Sequence, residues 1–242
     1  MSENKSGSIV TPARLNIGRA GSRYPTASML KFRADHARAV DAVMTEVSAE
    51  WPRKNGLAEF HSKASTRDEY LHNPERGRRL RGDEIAKLKA LDRPSRKKAA
   101  SKPSVLIFVG DGLSSAAVEA NAGPLARALT KALREKYHLM KPIFIRNARV
   151  RIEDYLGEIM RPELICMIVG ERPGLATAES LSAYVIYRPR LSSLEPDRTV
   201  ISNIHRGGIP IAEAAKKIAA LVDDAFRHCA TGARLAAMLA PD

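Results

Sequence analysis

Five short runs, four of them continuously apolar, are separated by helical patterns and constrain the fold of this chain more than any other feature. The runs cover residues 105–109, 142–145, 164–169, 184–187 and 199–204, and the last run includes the polar residues Thr199, Ser202 and Asn203. Between them, apolar residues recur with helical spacing, as at Leu125, Leu129 and Leu133. Continuous apolar strands are typical of a sheet that helices cover on both faces. The pattern predicts an α/β fold with a Rossmann-like, mostly parallel sheet flanked by helices, which becomes mixed where the last two runs lie close together.

The part of the chain before these runs has a different pattern. Residues 1–25 are typical of an extended arm, with arginines at positions 14, 19 and 23. A stripe with helical spacing follows, formed by Phe32, His36, Val40, Val43 and Val47. Because His36 lies on this apolar stripe, we interpret it as a core or interface histidine. Residues 57–92 are polar and contain only short helical patterns.

A basic segment bracketed by Pro94 and Pro103 marks the predicted domain boundary. The predicted organisation is an N-terminal arm and helical segment over residues 1–92, a basic linker over 93–103, and an α/β domain over 104–242. The net charge is +13, and residues 76–102 contribute +8 of it through eleven basic and three acidic residues. A basic segment of this kind is typical of a solvated connector or a patch for an acidic partner. A nucleic-acid-binding protein with salt-sensitive affinity is the alternative, although we expect no nucleic-acid partner.

Cysteine placement and hydropathy predict a reducing, aqueous environment. Cys166 lies within an apolar run and Cys229 lies on the stripe of the last helix, so both are predicted to be buried, reduced thiols. No apolar run approaches the roughly 18 residues that a membrane span needs. The first residues are polar and lack the apolar core of a signal peptide. These observations predict a cytoplasmic protein without membrane contact.

Ligands of open α/β sheets bind beyond the carboxyl ends of the strands, and three loops have that position here. The loop at 110–115 lacks the third glycine of a dinucleotide-binding motif, because position 115 is serine. In the loop at 170–174, Pro173 and Gly174 predict a stiff turn that holds Glu171 on an exposed rim as a hydrogen-bond acceptor. The third loop, at 201–208, ends a strand in polar residues. No set of catalytic residues is evident, which favours a binding protein over a stand-alone nucleotide-binding enzyme.

Several segments, in their order and spacing, resemble the small-subunit family of ethanolamine ammonia-lyase. They are Thr11-Pro12-Ala13-Arg14, Phe32-Arg33-Ala34-Asp35-His36-Ala37-Arg38-Ala39, Asp111-Gly112-Leu113-Ser114, Gly170-Glu171-Arg172-Pro173-Gly174-Leu175 and Ile201-Ser202-Asn203-Ile204-His205. The resemblance implies a lyase that converts ethanolamine to acetaldehyde and ammonia by the radical chemistry of adenosylcobalamin. It also implies a large TIM-barrel subunit that holds the substrate pocket, while the small subunit covers one side of the cofactor.

The resemblance implies three cofactor-binding positions and no catalytic or metal-ligating residue in this chain. The positions are Val150, Glu171 and Val200, where Val200 replaces an expected cysteine. The sequence contains no Asp-x-His-x-x-Gly motif, which agrees with a cofactor that keeps its own benzimidazole on cobalt (base-on). The arm and first helix are expected to contact the large subunit. The family also allows a location within a bacterial microcompartment, although residues 1–10 are shorter and more polar than its targeting helix.

Overall fold

The structure is a computed structural model that describes residues 17–92 and 102–240. Residues 1–16, which include Arg14 and the proposed targeting region, lie outside the described residues. The same holds for most of the predicted linker, residues 93–101. The division at 93–103 therefore stays a prediction.

The described part of the chain contains ten α-helices and seven β-strands. The helices are α1 (Thr26–Met44), α2 (Trp51–Lys54), α3 (Arg67–His72), α4 (Pro74–Gly77), α5 (Gly82–Asp92), α6 (Ser115–Ala117), α7 (Gly123–Leu133), α8 (Ile152–Met160), α9 (Ile211–His228) and α10 (Gly232–Leu239). A π-helical turn, Val118–Ala122, joins α6 to α7, and a 3-10 turn spans Glu195–Asp197. The strands are β1 (Ala58–His61), β2 (Ser104–Gly110), β3 (His138–Leu139), β4 (Ile143–Arg146), β5 (Leu164–Gly170), β6 (Leu181–Tyr187) and β7 (Thr199–Ile204).

The described strands form one seven-stranded sheet in the order β1-β4-β2-β5-β6-β7, with the short β3 paired to β2. β1, β4, β2 and β5 are parallel to one another, whereas β6 is antiparallel to both of its neighbours, β5 and β7. This confirms the predicted mostly parallel sheet that becomes mixed at its end. Each apolar run in the sequence corresponds to one strand.

Helices cover both faces of the sheet, as the continuous apolar runs predict. Along β2, Val105, Ile107 and Val109 pack in one buried cluster with α7 and α9, whereas Leu106 and Phe108 pack in a second cluster with α5 and α8. Side chains of a strand alternate between faces, so a strand buried on both faces must be apolar throughout. Each fully buried leucine contributes roughly 2 kcal/mol through the hydrophobic effect.

The polar segment at 57–92 contributes a strand that the sequence analysis does not predict. β1 is parallel to β4 and forms one edge of the sheet, and the side chain of its residue Phe60 is buried. Its four residues, Ala58–His61, alternate between apolar and polar, which is too short a pattern to distinguish from a loop. The segment before the predicted linker is thus part of the same sheet as the segment after it.

The predicted stripe of the first helix lies mostly on its exposed side. Phe32 and Val40 are 44% and 45% exposed, and His36 is exposed rather than in the core. The side of α1 that faces the protein carries the buried Asp35 and Ala42 instead. Helical spacing identifies a face of the helix but does not identify the surface that this face packs against.

The two cysteines differ. Cys166 is fully buried in β5, as predicted, but the prediction for Cys229 is wrong because its side chain is exposed. The helix α9 ends at His228, and Cys229 adopts a left-handed conformation with φ of 50°. This turn carries Cys229 away from the buried face of the helix. No helix in the described ranges is long and apolar enough to cross a membrane.

Two glycines bring the loops after β2 and β5 into backbone contact. Gly112 has a φ of +59°, and a Cβ atom there would lie 2.3 Å from the carbonyl oxygen of Gly170. A Cβ atom on Gly170 would lie 2.3 Å from the carbonyl oxygen of Ser114. The amide of Leu113 donates to the Gly170 carbonyl at 3.0 Å. Only residues without a side chain allow this approach.

We expect Gly112→Ala to destabilise the chain by about 2 kcal/mol more than Gly56→Ala. Gly56 is the matched control, because it has a φ of +70° but no atom within 4 Å of the position that an added methyl group would occupy. Both substitutions place alanine in the left-handed region, which costs about 1–2 kcal/mol. Only Gly112→Ala also forces a methyl group against the backbone of the neighbouring loop at Gly170. Urea unfolding followed by circular dichroism measures both. Equal losses of unfolding free energy would contradict the close approach.

Candidate functional site

A cleft lies where the carboxyl ends of β2, β4 and β5 meet. Its volume is about 190 Å³, and three loops line it: Gly112 and Leu113 after β2, residues 148–150 after β4, and residues 170–172 after β5. Tyr70 of α3 and two residues of β6, Ser182 and Tyr184, complete the wall. Parallel strands end at the same edge of a sheet, so their following loops converge there.

A buried carboxylate holds the first two loops together beneath the cleft. Asp111 has no exposed surface, and its two oxygens accept hydrogen bonds from the amides of Asn147 at 2.8 Å and Ala148 at 3.0 Å. The guanidinium of Arg67 lies 3.9 Å from the same carboxylate. Burial raises the pKa of Asp111, whereas the two amides and Arg67 lower it. The end of β2 is thereby joined to the loop that carries Val150.

Glu171 is half-buried rather than standing free on the rim. Its Oε1 accepts hydrogen bonds from the Ser182 hydroxyl at 2.6 Å and from the Asn203 amide at 2.9 Å. These bonds connect the loop after β5 to β6 and to β7. No donor among the described residues hydrogen-bonds Oε2. Gly174 does not adopt a positive φ, and its amide donates a hydrogen bond to the Thr177 carbonyl at 2.9 Å.

The structure brings two of the three predicted cofactor positions together. Val150 and Glu171 both line the cleft. Val200 is on the edge strand β7, 45% exposed, and is not part of the cleft lining. Its register partner on β6 is Tyr184, which does line the cleft. Val200 therefore lies one strand beyond β6, whose residues complete the cleft wall.

Aromatic and basic side chains of the cleft are absent from the sequence-based prediction. Tyr70 is buried, and its hydroxyl donates to the Ala148 carbonyl at 3.2 Å. The guanidinium of Arg149 lies 4.4 Å from the centre of the Tyr70 ring and donates to the Tyr70 carbonyl at 2.9 Å. Burial and the nearby Asp111 raise the pKa of the Tyr70 hydroxyl. The strand pairing of β6 with β5 would have indicated Ser182 and Tyr184, but no local pattern identifies Tyr70.

A second buried charge cluster holds the far side of the Val150 segment. Arg198, just before β7, donates to the carboxylates of Glu153, at 3.1 Å, and Asp154, both in the first turn of α8. The amide of Glu153 donates in turn to the Val150 carbonyl at 3.1 Å. Burial raises the pKa of the Glu153 carboxyl to about 8, although Arg198 opposes the rise. Val150 thus lies between two buried networks of charged side chains.

The fold and the cleft define an α/β protein with a candidate ligand site at the carboxyl ends of its parallel strands. The family model described as ethanolamine ammonia-lyase light chain matches residues 3–236. The chain therefore belongs to the ethanolamine ammonia-lyase light-chain family, and it is a subunit of a carbon–nitrogen lyase.

Similar curated proteins carry the same description. The ethanolamine ammonia-lyase small subunit of Clostridioides difficile (strain 630) is 45% identical over 224 residues, which are 92% of this chain and 74% of that protein. The small subunit of Lachnoclostridium phytofermentans is 45% identical over 226 residues, which are 93% of this chain and 74% of that protein. The small subunit of Fusobacterium nucleatum is 43% identical over 223 residues, which are 92% of this chain and 73% of that protein. These matches confirm the predicted family.

The raised pKa of Glu153 predicts that Glu153→Gln makes stability less dependent on pH. A carboxyl whose pKa rises from 4.5 to about 8 on folding contributes stability that is lost as the pH rises between those values. Glutamine resembles the protonated acid and does not titrate. The free energy of unfolding of the Glu153→Gln variant, relative to that of the unsubstituted chain, should therefore increase by at least about 1 kcal/mol from pH 5 to pH 8. A pKa difference of one corresponds to about 1.4 kcal/mol.

Urea unfolding at the two pH values measures this difference. Glu158→Gln is the matched control, because Glu158 is an exposed residue of the same helix. A pH dependence that is the same in the Glu153→Gln variant and in the unsubstituted chain would show that Glu153 is ionised throughout.

Proposed function

We propose that this chain covers one side of adenosylcobalamin at the interface with the large catalytic subunit of ethanolamine ammonia-lyase. The observation that carries the proposal is the shared position of Val150 and Glu171 in one cleft at the strand ends. The proposed reaction of the assembled enzyme is the conversion of ethanolamine to acetaldehyde and ammonia. Within it, adenosylcobalamin supplies the radical chemistry, and this chain supplies position and polarity.

The size and lining of the cleft fit a cofactor that is covered from one side. The cleft volume, about 190 Å³, is below the roughly 300–1,000 Å³ of pockets that enclose a drug-sized ligand. A corrinoid is larger than such ligands, so another surface must cover the rest of it. The lining combines apolar side chains, such as Val150 and Val169, with the charged Arg149, Glu171 and Arg172. A corrin ring has an apolar face and amide side chains around its rim, which can meet both kinds of group.

Glu171 is the polar side chain that fits the rim of the cofactor best. The Ser182 hydroxyl and the Asn203 amide hold its Oε1 in place, so the carboxylate is oriented before a ligand binds. The remaining oxygen, Oε2, can accept a hydrogen bond from an amide N–H. A preoriented acceptor loses little conformational entropy on binding. Val150 presents an apolar side chain to the same cleft.

The contacts of His205 are consistent with a cofactor that keeps its own benzimidazole on cobalt. In His205, Nε2 lies 2.8 Å from the Asn203 Oδ1, and Nδ1 accepts from the Gly207 amide at 3.1 Å. Both ring nitrogens of His205 are thus engaged within the chain. We therefore propose that this histidine does not replace the cofactor's own benzimidazole. Val200 is proposed as a contact from β7, through its backbone or its exposed side chain.

The exposed apolar side of α1 is the proposed contact with the large subunit. Leu30, Val40 and Met44 are 59%, 45% and 54% exposed on this helix. Tyr24 and Phe32 line a neighbouring, mostly apolar groove together with Met29. Exposed apolar side chains clustered on one helix are typical of a protein interface. A truncation before Lys102 would also remove β1 from the sheet, so substitutions on α1 test this contact more cleanly.

Co-expression with a large subunit tests the proposed activity. We expect acetaldehyde release from ethanolamine to require both chains and added adenosylcobalamin, because each chain is proposed to cover only one side of the cofactor. The measurement is a coupled alcohol dehydrogenase assay on the purified assembly. Full activity from the large subunit alone would refute an essential role for this chain.

Glu171→Gln should weaken the binding of cyanocobalamin to the assembled subunits by about tenfold. A hydrogen bond to a charged group contributes roughly 1.5–3 kcal/mol, and glutamine keeps an Oε1 acceptor for Ser182 and Asn203 while removing the charge. Glu171→Ala is less clean, because it also leaves those two donors without their acceptor. Equilibrium dialysis measures the dissociation constant.

Glu179→Gln is the matched control, because Glu179 is an exposed residue close in the chain that does not line the cleft. It should bind cyanocobalamin as the unsubstituted protein does. The same dissociation constant for Glu171→Gln and Glu179→Gln would contradict the role of Glu171.

A further inference from the structure

A buried arginine joins α1 to the wall of the cleft, and we infer that Arg67 is a positioning residue that transmits the docking of α1 to the cofactor side. The inference rests on the proposed function, because it takes α1 as a contact with the large subunit and the cleft as a cover for adenosylcobalamin. It concerns the arrangement of the loops and not the reaction itself.

Arg67 contacts α1 and the cleft wall through two separate hydrogen bonds. It is the first residue of α3, and its side chain is only 6% exposed. Its Nε donates to the Val43 carbonyl, at the end of α1, at 2.6 Å. Its Nη1 donates to the Gly112 carbonyl at 2.8 Å. One planar guanidinium therefore sets the distance between the end of α1 and the loop after β2.

The contact continues from Arg67 to the loop that carries Val150. Nη1 of Arg67 lies 3.9 Å from Asp111 Oδ2, and the Asp111 carboxylate accepts hydrogen bonds from the backbone amides of Asn147 and Ala148. Gly112 and Ala148 line the cleft. A displacement of the Val43 carbonyl would therefore move a charged group that both cleft loops share. The glycine contact between Gly112 and Gly170 extends this rigid path to the loop of Glu171.

α1 is held weakly enough for its docking to matter. Only Asp35 and Ala42 of its nineteen residues are buried, among the side chains that the structure describes. The described side chains of α1 therefore contribute little to the apolar core, and the bond from Arg67 to the Val43 carbonyl attaches the end of the helix. Packing the exposed side of α1 against a partner would restrict its position, and hence that of Arg67.

The chemistry of the site explains why arginine is needed. A guanidinium has donors in a fixed fork and can bridge two carbonyls while facing a carboxylate. Nη2 of Arg67 is buried and has no hydrogen-bond partner among the described residues. Leaving a charged donor unpaired is costly, so the position is not optimised for stability alone. Lysine would keep the positive charge near Asp111 but could not hold both carbonyls in the same geometry.

A double-mutant cycle on the assembled enzyme tests the coupling. The first change is Leu30→Gln with Val40→Gln on the exposed side of α1, since glutamine keeps helix propensity. The second is Arg67→Lys. The measured quantities are the dissociation constant for cyanocobalamin, by equilibrium dialysis, and the association of the two subunits, by sedimentation. Large-subunit concentrations are chosen so that every variant stays assembled.

We expect the α1 substitutions to weaken subunit association and to raise the cyanocobalamin dissociation constant about fivefold in the unsubstituted background. In the Arg67→Lys background, the same substitutions should raise it less than twofold, because the connection is already broken. A coupling of this size is within the usual range for linked sites. Arg76→Lys is the matched control, because Arg76 is an exposed arginine of α4, and there the fivefold effect should persist.

Equal effects of the α1 substitutions in both backgrounds would overturn the inference. If Glu171→Gln still weakens cyanocobalamin binding in the same assay, the proposed function stands and only the coupling fails. If neither Glu171→Gln nor Arg67→Lys changes the dissociation constant, both fail. Should Arg67→Lys not fold, the uncharged pair Arg67→Met with Asp111→Asn replaces it, with the same expected loss of coupling.

Discussion

The buried carboxylate of Asp111 is the interaction on which the site most depends. It accepts hydrogen bonds from the backbone amides of Asn147 and Ala148 and faces the guanidinium of Arg67. A buried charge is tolerated only when hydrogen bonds and an opposite charge replace the lost water. Those requirements force the ends of β2 and β4 and the start of α3 to meet at one point. The cleft exists because three separate segments must satisfy one carboxylate.

The rest of the cleft is held by the same kind of contact. Arg198 joins the first turn of α8 to the start of β7, and Glu171 joins the loop after β5 to β6 and β7. Between these connections, the Arg149–Val150 segment has little freedom to move. Rigid loops of this kind suit a subunit that presents a prepared surface, because a ligand then binds without ordering the loops first. By contrast, α1, which carries the proposed partner surface, has only two buried residues among those that the structure describes.

Much of the fold could be predicted because its signals are local. The apolar runs identify β2 and β5, and the helical stripe identifies α7, without knowledge of the tertiary structure. β1 could not be predicted, because four alternating residues become a strand only when β4 offers a paired edge. The prediction that Cys229 is buried was wrong for a related reason. Spacing defines a face, but only the surrounding elements decide whether that face is buried.

The sequence by itself determined the order of the main strands and helices along the chain, because this depends on residue types at fixed spacing, and its resemblance to the family implied the positions Val150 and Glu171. Only the tertiary structure decided that these two positions share a cleft while Val200 lies outside it, on the edge strand next to β6. It alone also revealed Tyr70 and the buried charge networks, whose partners are far apart in the chain. Burial makes such contacts strong by removing water, and burial is a property of the assembled fold rather than of any segment.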